Sequence, residues 1–367
     1  MKIALITIHN ANNYGAIFQA YATQVVLSKY GDVKIINYEN RHVSRSFDLI
    51  RFVPSVHGVM GFVKDVLRLF PRYRVISKFE RFIYNNLNLT CVYSSSDLKD
   101  GKAPVYDVYV SGSDQIWNPI CISEKQQIDG NYFLEFAANG MVKLSYASSM
   151  GGYKYTEAEA SVVKSYLQGF DSISVRELDA KLYLETLLGK PVQHVLDPTL
   201  LLDKSEWLHV AGGASNTETT EDYILLYTVP KSPLIREVVD QVSKKLQMKV
   251  IAIDQGLTAS AKVNKQIRDA GPEEFLRFFA GAKYVITDSF HGVCYSLNFE
   301  IPFVAVSSGI HSNRIESLLN LVGLEERLVK NNTQIKRVLS ECDYTLAYNK
   351  LHKEREKSMK YISKSLS

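Results

Sequence analysis

The chain reads as an α/β protein with two doubly wound parallel-sheet halves facing a cleft. Three observations carry this reading. Short apolar runs alternate with segments of helical spacing along most of the chain, the pattern of parallel sheets with crossover helices. Strand after strand stops at small or polar residues: Asn12-Asn13-Tyr14-Gly15, Gly112-Ser113-Asp114, Arg176, Asp197-Pro198, Ser289-Phe290-His291 and Ser307-Ser308-Gly309. And 367 residues are enough for two domains.

Lys2–Ile8 is the first strand, followed by the polar turn His9–Gly15. Ala16–Lys29 is a helix, with Ile17, Ala20, Tyr21, Gln24 and Val25 at helical spacing and Gly31 as its stop. Val33–Asn37 is the second strand. A basic helical insertion occupies 41–90. Tyr106–Val110 and Lys143–Ala147 are further strands, completing a first domain over 1–170.

A second domain is expected over 171–343. Ser172–Val175 is a strand ending at Arg176, Glu177–Leu188 a helix closed by Gly189, and Val192–Leu196 a strand. The polar patch Gly212–Asp222 is a surface loop. Tyr223–Thr228, Lys249–Ile253, Tyr284–Thr287 and Phe303–Val306 are strands. Pro233–Leu246, Pro272–Ala280, His291–Asn298 and Asn313–Leu321 are helices, and Pro272 sits at the first-turn position where proline is tolerated. The Lys-rich helix 344–366 is expected to rejoin the first domain.

Composition narrows the class. Hydrophobic content of 46% and charged content of 22% are ordinary for a folded domain. Cys91, Cys121, Cys294 and Cys342 lie far apart without metal-ligand spacing, which predicts a reduced, cytoplasmic protein with no metal site. The start is too short for a signal peptide, and no apolar run is long enough to span a membrane. Between Arg41 and Tyr84, nine Lys or Arg face only Asp48, Asp65 and Glu80. That segment reads either as a solvated helical face or as a surface for anionic lipid at the inner face of the membrane.

The strand ends hold the candidate chemistry. Helix N-termini there suit phosphate or carboxylate. GxGxxG, GxxxxGK[ST] and GxSxG are absent, which weighs against dinucleotide, P-loop and serine-hydrolase sites. His291 is either an inert helix-start imidazole or a general acid/base near neutral pH. Arg176 is either a surface partner of Glu177 or Asp179, or a fork for an anion. Asp114 is either an Asx-type cap or a group that orients a sugar hydroxyl. Trp117 either stacks on a sugar or packs inside. Asp197 reads as a turn former.

Asn13-Tyr14-Gly15-Ala16 with Gln19-Ala20-Tyr21-Ala22, Gly112–Asn118, Ser174–Glu177, Asp197-Pro198-Thr199, Thr287–Gly292 and Pro302-Phe303 occur in that order. The ordered set resembles the polysaccharide pyruvyl transferase family over roughly residues 1–325. The resemblance implies a GT-B-like pair of Rossmann-like domains around the cleft. It also implies transfer of pyruvate from phosphoenolpyruvate, as co-substrate and without a cofactor, onto a sugar of a glycan precursor, usually as a cyclic ketal. The acceptor would be a lipid-pyrophosphate-linked sugar and not a nucleic acid. His291, Arg176 and Asp114 would be catalytic. Arg176, Ser289, Phe290, His291, Gly292, Ser308, Gly309 and Arg314 would hold the donor, and Asn13, Tyr14, Gly15, Asp114, Gln115 and Trp117 the acceptor. The family's better-known members carry an Arg where this chain has Ser289, so Arg314 is expected to supply that charge. A nucleotide-sugar glycosyltransferase and a non-catalytic sugar- or anion-binding relative are the alternatives.

Overall fold

The computed structural model describes residues 1–50, 56–213, 221–338 and 342–367, and of residues 56–68, 310 and 311 the backbone alone. Arg51, Phe52 and Val53 of the basic segment and most of the polar patch, 214–220, lie outside the described residues. The chain divides into two compact units. One comprises Met1–Ser46, Ile83–Leu201 and His352–Ser367; the other comprises Phe47–Phe82 and Leu202–Leu351.

In the first unit, β1 (Lys2–Ile6), β2 (Asp32–Tyr38), β3 (Leu89–Tyr93), β4 (Val108–Ser111) and β5 (Val142–Ser145) form a sheet of order β3-β2-β1-β4-β5. Every pairing is parallel. All of β4 and most of β1 are buried, as expected of a parallel sheet covered on both faces. β6 (Ser174–Val175) and β7 (Gln193–His194) pair with each other, and bridges Leu144↔Ser172 and Ser148↔Val175 join them in parallel to β5. The expected boundary at 170/171 therefore moves to Leu201, because the strand at Arg176 extends the first sheet instead of starting the second.

The last helix, Thr345–Leu366, also reaches this unit. Ser358 Oγ accepts the Leu196 N–H at 3.0 Å, Tyr361 Oη donates to Ser145 O at 2.9 Å, and Arg355 Nε donates to Leu200 O at 2.7 Å. Its first turns, through Leu351, group with the second unit.

In the second unit, β8 (Tyr223–Tyr227), β9 (Lys249–Ile253), β10 (Lys265–Ile267), β11 (Tyr284–Thr287), β12 (Phe303–Val306) and β13 (Leu328–Val329) form a parallel sheet of order β10-β9-β8-β11-β12-β13. Trp207, Tyr227, Phe275, Phe279 and Tyr295 make a continuous aromatic core with ring centroids 4.8–6.2 Å apart. Buried aromatic area of this kind dominates core energetics.

Phe47–Phe82 of the basic insertion belongs to this unit, and three of its cations are engaged there. The Val56–Asn86 helix continues through Pro71. Arg72 is buried and donates to Asp48 O through Nε (2.8 Å) and Nη2 (2.6 Å). Arg74 lies over the Phe70 ring and 3.3 Å from Asp269, and Lys78 pairs with Glu274 at 2.7 Å. Among the described residues, no helix is long and apolar enough to cross a membrane.

Both sheets reverse their strand order next to the first strand of the unit, between β1 and β4 and between β8 and β11. In open α/β sheets, ligands collect at the carboxyl ends of strands at such a switch point.

Candidate functional site

At the switch point of the first unit, the loops after β1 and β4 are locked by buried polar groups. Thr7 Oγ1 donates to Ser113 O at 2.9 Å, and Gln19 Nε2 donates to Ile8 O at 2.8 Å. His9 is buried, with Nδ1 3.1 Å from Thr7 O and Nε2 3.0 Å from Asn37 Oδ1. Burial holds its pKa below the ordinary value, against the pull of both hydrogen bonds. Asn13 caps the Tyr14–Leu27 helix by accepting from Gly15 N (2.9 Å) and Ala16 N (3.3 Å). Tyr14 and Gly15 are buried; Asn13 is exposed at the helix start.

After β4, Asp114 adopts left-handed backbone with φ 68°. Asp tolerates that conformation better than most residues because its short side chain bonds locally. Here Oδ1 accepts the Gln115 N–H at 2.9 Å. Gln115 Oε1 in turn accepts from Asn118 Nδ2 at 3.0 Å. Of its two expected roles, Trp117 takes packing inside and not stacking on an acceptor sugar. It is fully buried, stacked on Phe133 at 5.2 Å, and its Nε1 donates to Ser111 Oγ at 3.1 Å. Both the ring face and the indole N–H are therefore consumed by the core.

Arg176 also departs from the expected surface pair or open fork. Its side chain is buried and faces three carboxylates: Asp197 at 2.6 Å, Glu177 at 3.4 Å and Asp114 at 3.7 Å. Burial opposes its charge, but Asp197, Glu177 and Asp114 outweigh burial and raise its pKa above the ordinary arginine value. Asp197, read from the sequence as a turn former, is both that and an ion partner. Its Oδ1 accepts from Thr199 N and Oγ1, and its Oδ2 accepts from Ser113 Oγ at 3.3 Å. Ser149 Oγ donates to Glu177. The arrangement fixes the loop after β4 to those after β6 and β7.

The second unit builds its switch point differently. Asp288, at the end of β11, is buried and accepts the N–H groups of Val229 (2.8 Å) and Ser232 (2.7 Å). Burial raises its pKa, and the Ser232, Val229 and Lys231 N–H groups oppose that rise. Ser232 Oγ donates to Ser307 O at 2.6 Å, so the loops after β8, β11 and β12 are tied together. Within the last loop, Ser308 N donates to Ser312 Oγ at 3.0 Å, and Gly309 takes φ 74°, the left-handed region that suits glycine. Lys231 pairs with the buried Asp254 at 3.0 Å.

His291 lies in the first turn of the Phe290–Asn298 helix and is buried. Ser289 occupies the N-cap without a side-chain cap, while its N–H donates to Thr287 Oγ1 at 3.0 Å. Val293 is the first residue to donate back, to Ser289 O at 3.1 Å. The amides of Phe290, His291 and Gly292 precede it, at the positive end of the helix dipole. Gly292 is required by close packing: a Cβ there would fall 2.8 Å from Thr287 Cβ. The Arg314 guanidinium lies 5.6 Å from the centroid of the Phe290 ring. Ser289, Phe290, His291 and Arg314 thus share one edge, with the Ser307–Gly309 loop tied to it through Ser232.

Sequence reasoning missed the organising role of Asp288. The signal available was a carboxylate between a buried strand and a helix start, a position that must find donors. His9, Ser232, Lys231 and Asp254 gave no signal, because their partners lie far away in the chain. Among the described residues, no group of three His, Cys, Asp or Glu side chains is placed to hold a metal ion.

A family model described as polysaccharide pyruvyl transferase matches residues 13–309. None of the curated proteins matches the chain. Similar solved structures include the Streptomyces sp. SF2575 glycosyltransferase SsfS6 complexed with thymidine diphosphate, at 12% identity and a TM-score of 0.48, covering 100% of both chains. The Methanocaldococcus jannaschii UDP-GlcNAc 2-epimerase in complex with UDP-GlcNAc and UDP has 15% identity and a TM-score of 0.49, covering 95% of this chain and 98% of its own. The Neisseria meningitidis UDP-GlcNAc 2-epimerase bound to UDP-GlcNAc has 11% identity and a TM-score of 0.47, covering 100% and 99%.

Proposed function

The chain belongs to the polysaccharide pyruvyl transferase family, and we propose that it moves pyruvate from phosphoenolpyruvate onto a sugar of a glycan precursor as a cyclic ketal. The observation that carries the residue assignment is the end of β11. It sets an imidazole, a helix N-terminus and Arg314 on one edge beside the Ser307–Gly309 loop.

The donor carries a carboxylate and a phosphate, both matched by helix amides and a guanidinium. His291 gives a proton to the methylene carbon C3, which makes C2 electrophilic. A sugar hydroxyl adds to C2 and gives its proton back to the neutral imidazole. Phosphate then leaves with the C2–O bond electrons, and a second hydroxyl adds to C2 and gives its proton to the departing phosphate as the ketal closes. Each turnover consumes one donor and two hydroxyls and yields the ketal and one phosphate. Arg314 and the Phe290–Gly292 amides hold the donor. Arg176, enclosed by carboxylates, positions Asp114, and Asp114 orients the acceptor.

Purified protein given phosphoenolpyruvate and lipid-linked or nitrophenyl glycosides is expected to release phosphate in step with a mass gain of one pyruvate ketal on the glycoside. Thermal stabilisation by nucleotide diphosphates with none by phosphoenolpyruvate would overturn the donor. Contact with anionic membrane through residues 41–84 is a further part of the proposal. With Arg72, Arg74 and Lys78 engaged internally, it rests on the exposed Leu69, Phe70, Tyr73 and Arg81. Vesicles rich in phosphatidylglycerol should co-sediment the wild type and not a Phe70→Ser/Arg81→Gln variant.

A further inference from the structure

A groove of about 440 Å³ opens in the first unit, away from the C-terminal edge of the sheet. One wall is the chain entering β6 and β7 at their N-terminal ends, with Asp171, Ser172, Lys190 and Pro191. The other is the C-terminal helix, which presents Lys357, Lys360, Tyr361, Lys364 and Ser365. Their spacing places them on one helical face.

The charges in this groove do not balance. Four ammonium groups meet one carboxylate, Asp171, whose Oδ2 already accepts the Lys143 N–H at 2.8 Å. Lys190 is fixed at the end of the Glu157–Gln168 helix, donating to Leu167 O at 2.8 Å and Phe170 O at 2.9 Å. Lys357 pairs with Glu354 at 3.1 Å. Among the described residues, the ammonium groups of Lys360 and Lys364 have no ion-pair partner. Two lysines four apart on one face repel, so they contribute nothing to the helix that carries them. Beside them, Tyr361 is anchored through its hydroxyl to Ser145 O and lies 6.4 Å from the Tyr146 ring, centroid to centroid, which leaves a fixed ring that lines the groove along with Pro191.

We propose that this groove binds an acidic saccharide, with a pyranose ring against Tyr361 and Pro191 and its anionic group on Lys357, Lys360 and Lys364. Lysine meets carboxylate or phosphate as a mobile point charge and needs no fork geometry. An aromatic ring beside a cationic wall suits a ligand that is a ring on one side and an anion on the other. The choice of a saccharide rests on the proposed transfer, whose product is a sugar with a new carboxylate. The groove then retains the acidic glycan while the C-terminal edge acts on the next acceptor.

Isothermal titration calorimetry with trigalacturonate, glucose 6-phosphate and neutral maltotriose tests this on the full chain. Trigalacturonate is expected to bind and maltotriose not to. Lys360→Gln/Lys364→Gln should weaken trigalacturonate on the order of fivefold at low salt. The same variant should keep its circular-dichroism melting curve and its phosphate release on a small glycoside. Equal binding by the variant, or no binding of either acidic sugar, overturns the site. Binding of glucose 6-phosphate alone overturns the glycan assignment in favour of a phosphate ligand. The titration contains no phosphoenolpyruvate, so a chain that binds trigalacturonate but releases no phosphate refutes the transfer and not the groove.

Discussion

Asp197 and Asp288 are both strand-end carboxylates with 1% of their surface exposed, yet their charges are answered by different groups. Asp197 meets a buried guanidinium, Arg176 Nη1, at 2.6 Å. Asp288 meets backbone amides, those of Val229 and Ser232. A side-chain ion cluster ties distant loops together but commits its cation, so the first unit has no fork to offer an anion at Arg176. Amide clamping ties loops without committing a cation, and the proposed function places its acid and its donor-binding guanidinium, His291 and Arg314, in this unit. The donor is accordingly proposed to bind the second unit.

The sharpest way to break this contrast is His291→Ala. Loss of a general acid should lower phosphate release about a hundred- to ten-thousandfold, with the melting temperature little changed. Unaltered turnover would remove the chemistry from the second unit. Next is Arg176→Met, which leaves three carboxylates uncompensated and should cost about 3–5 kcal/mol of stability, read by urea unfolding. A variant that instead folds normally and loses only its affinity for phosphoenolpyruvate would restore Arg176 to the donor. Gly292→Ala should cost about 1–3 kcal/mol through overpacking against Thr287. A second change, Thr287→Ala, should recover part of it, the coupling expected of touching residues.

The smallest effect is pH. His9 and His194, both in the first unit, are held by burial below the ordinary value of 6.5. The unfolded imidazoles protonate first as pH falls through that value. Their contribution is therefore complete above it and is lost below it, at most about 1.4 kcal/mol per pH unit for each. Unfolding midpoints measured between about pH 7.5 and about pH 5.5 should fall for the wild type and flatten in a His9→Asn variant.

Much of this contrast could be read from the chain, but not its partners. β9, β11, β12 and the Pro272–Ala280 helix match their expected limits because each is an apolar run bounded by turn residues. β3 and β10 were missed because they are edge strands with little burial, and periodicity is silent without a buried face. Arg176 was correctly placed at a strand end. Of the two adjacent partners that the sequence offered, Glu177 and Asp179, the first does pair with it; its nearest partner, Asp197, lies a helix and a strand further on. Trp117 sits among polar residues in sequence, and only the fold turns its ring onto Phe133.

The discontinuity of the first unit has a consequence for synthesis. Ser358, Tyr361 and Arg355 bond to Leu196, Ser145 and Leu200, but the ribosome adds them only after the whole second unit. The second unit can mature while Ser145 at the end of β5, and Leu196 and Leu200 after β7, still wait for the helix that bonds to them. A released chain ending at Leu351 should accordingly hold a protease-resistant second unit and a first unit that chaperones still recognise.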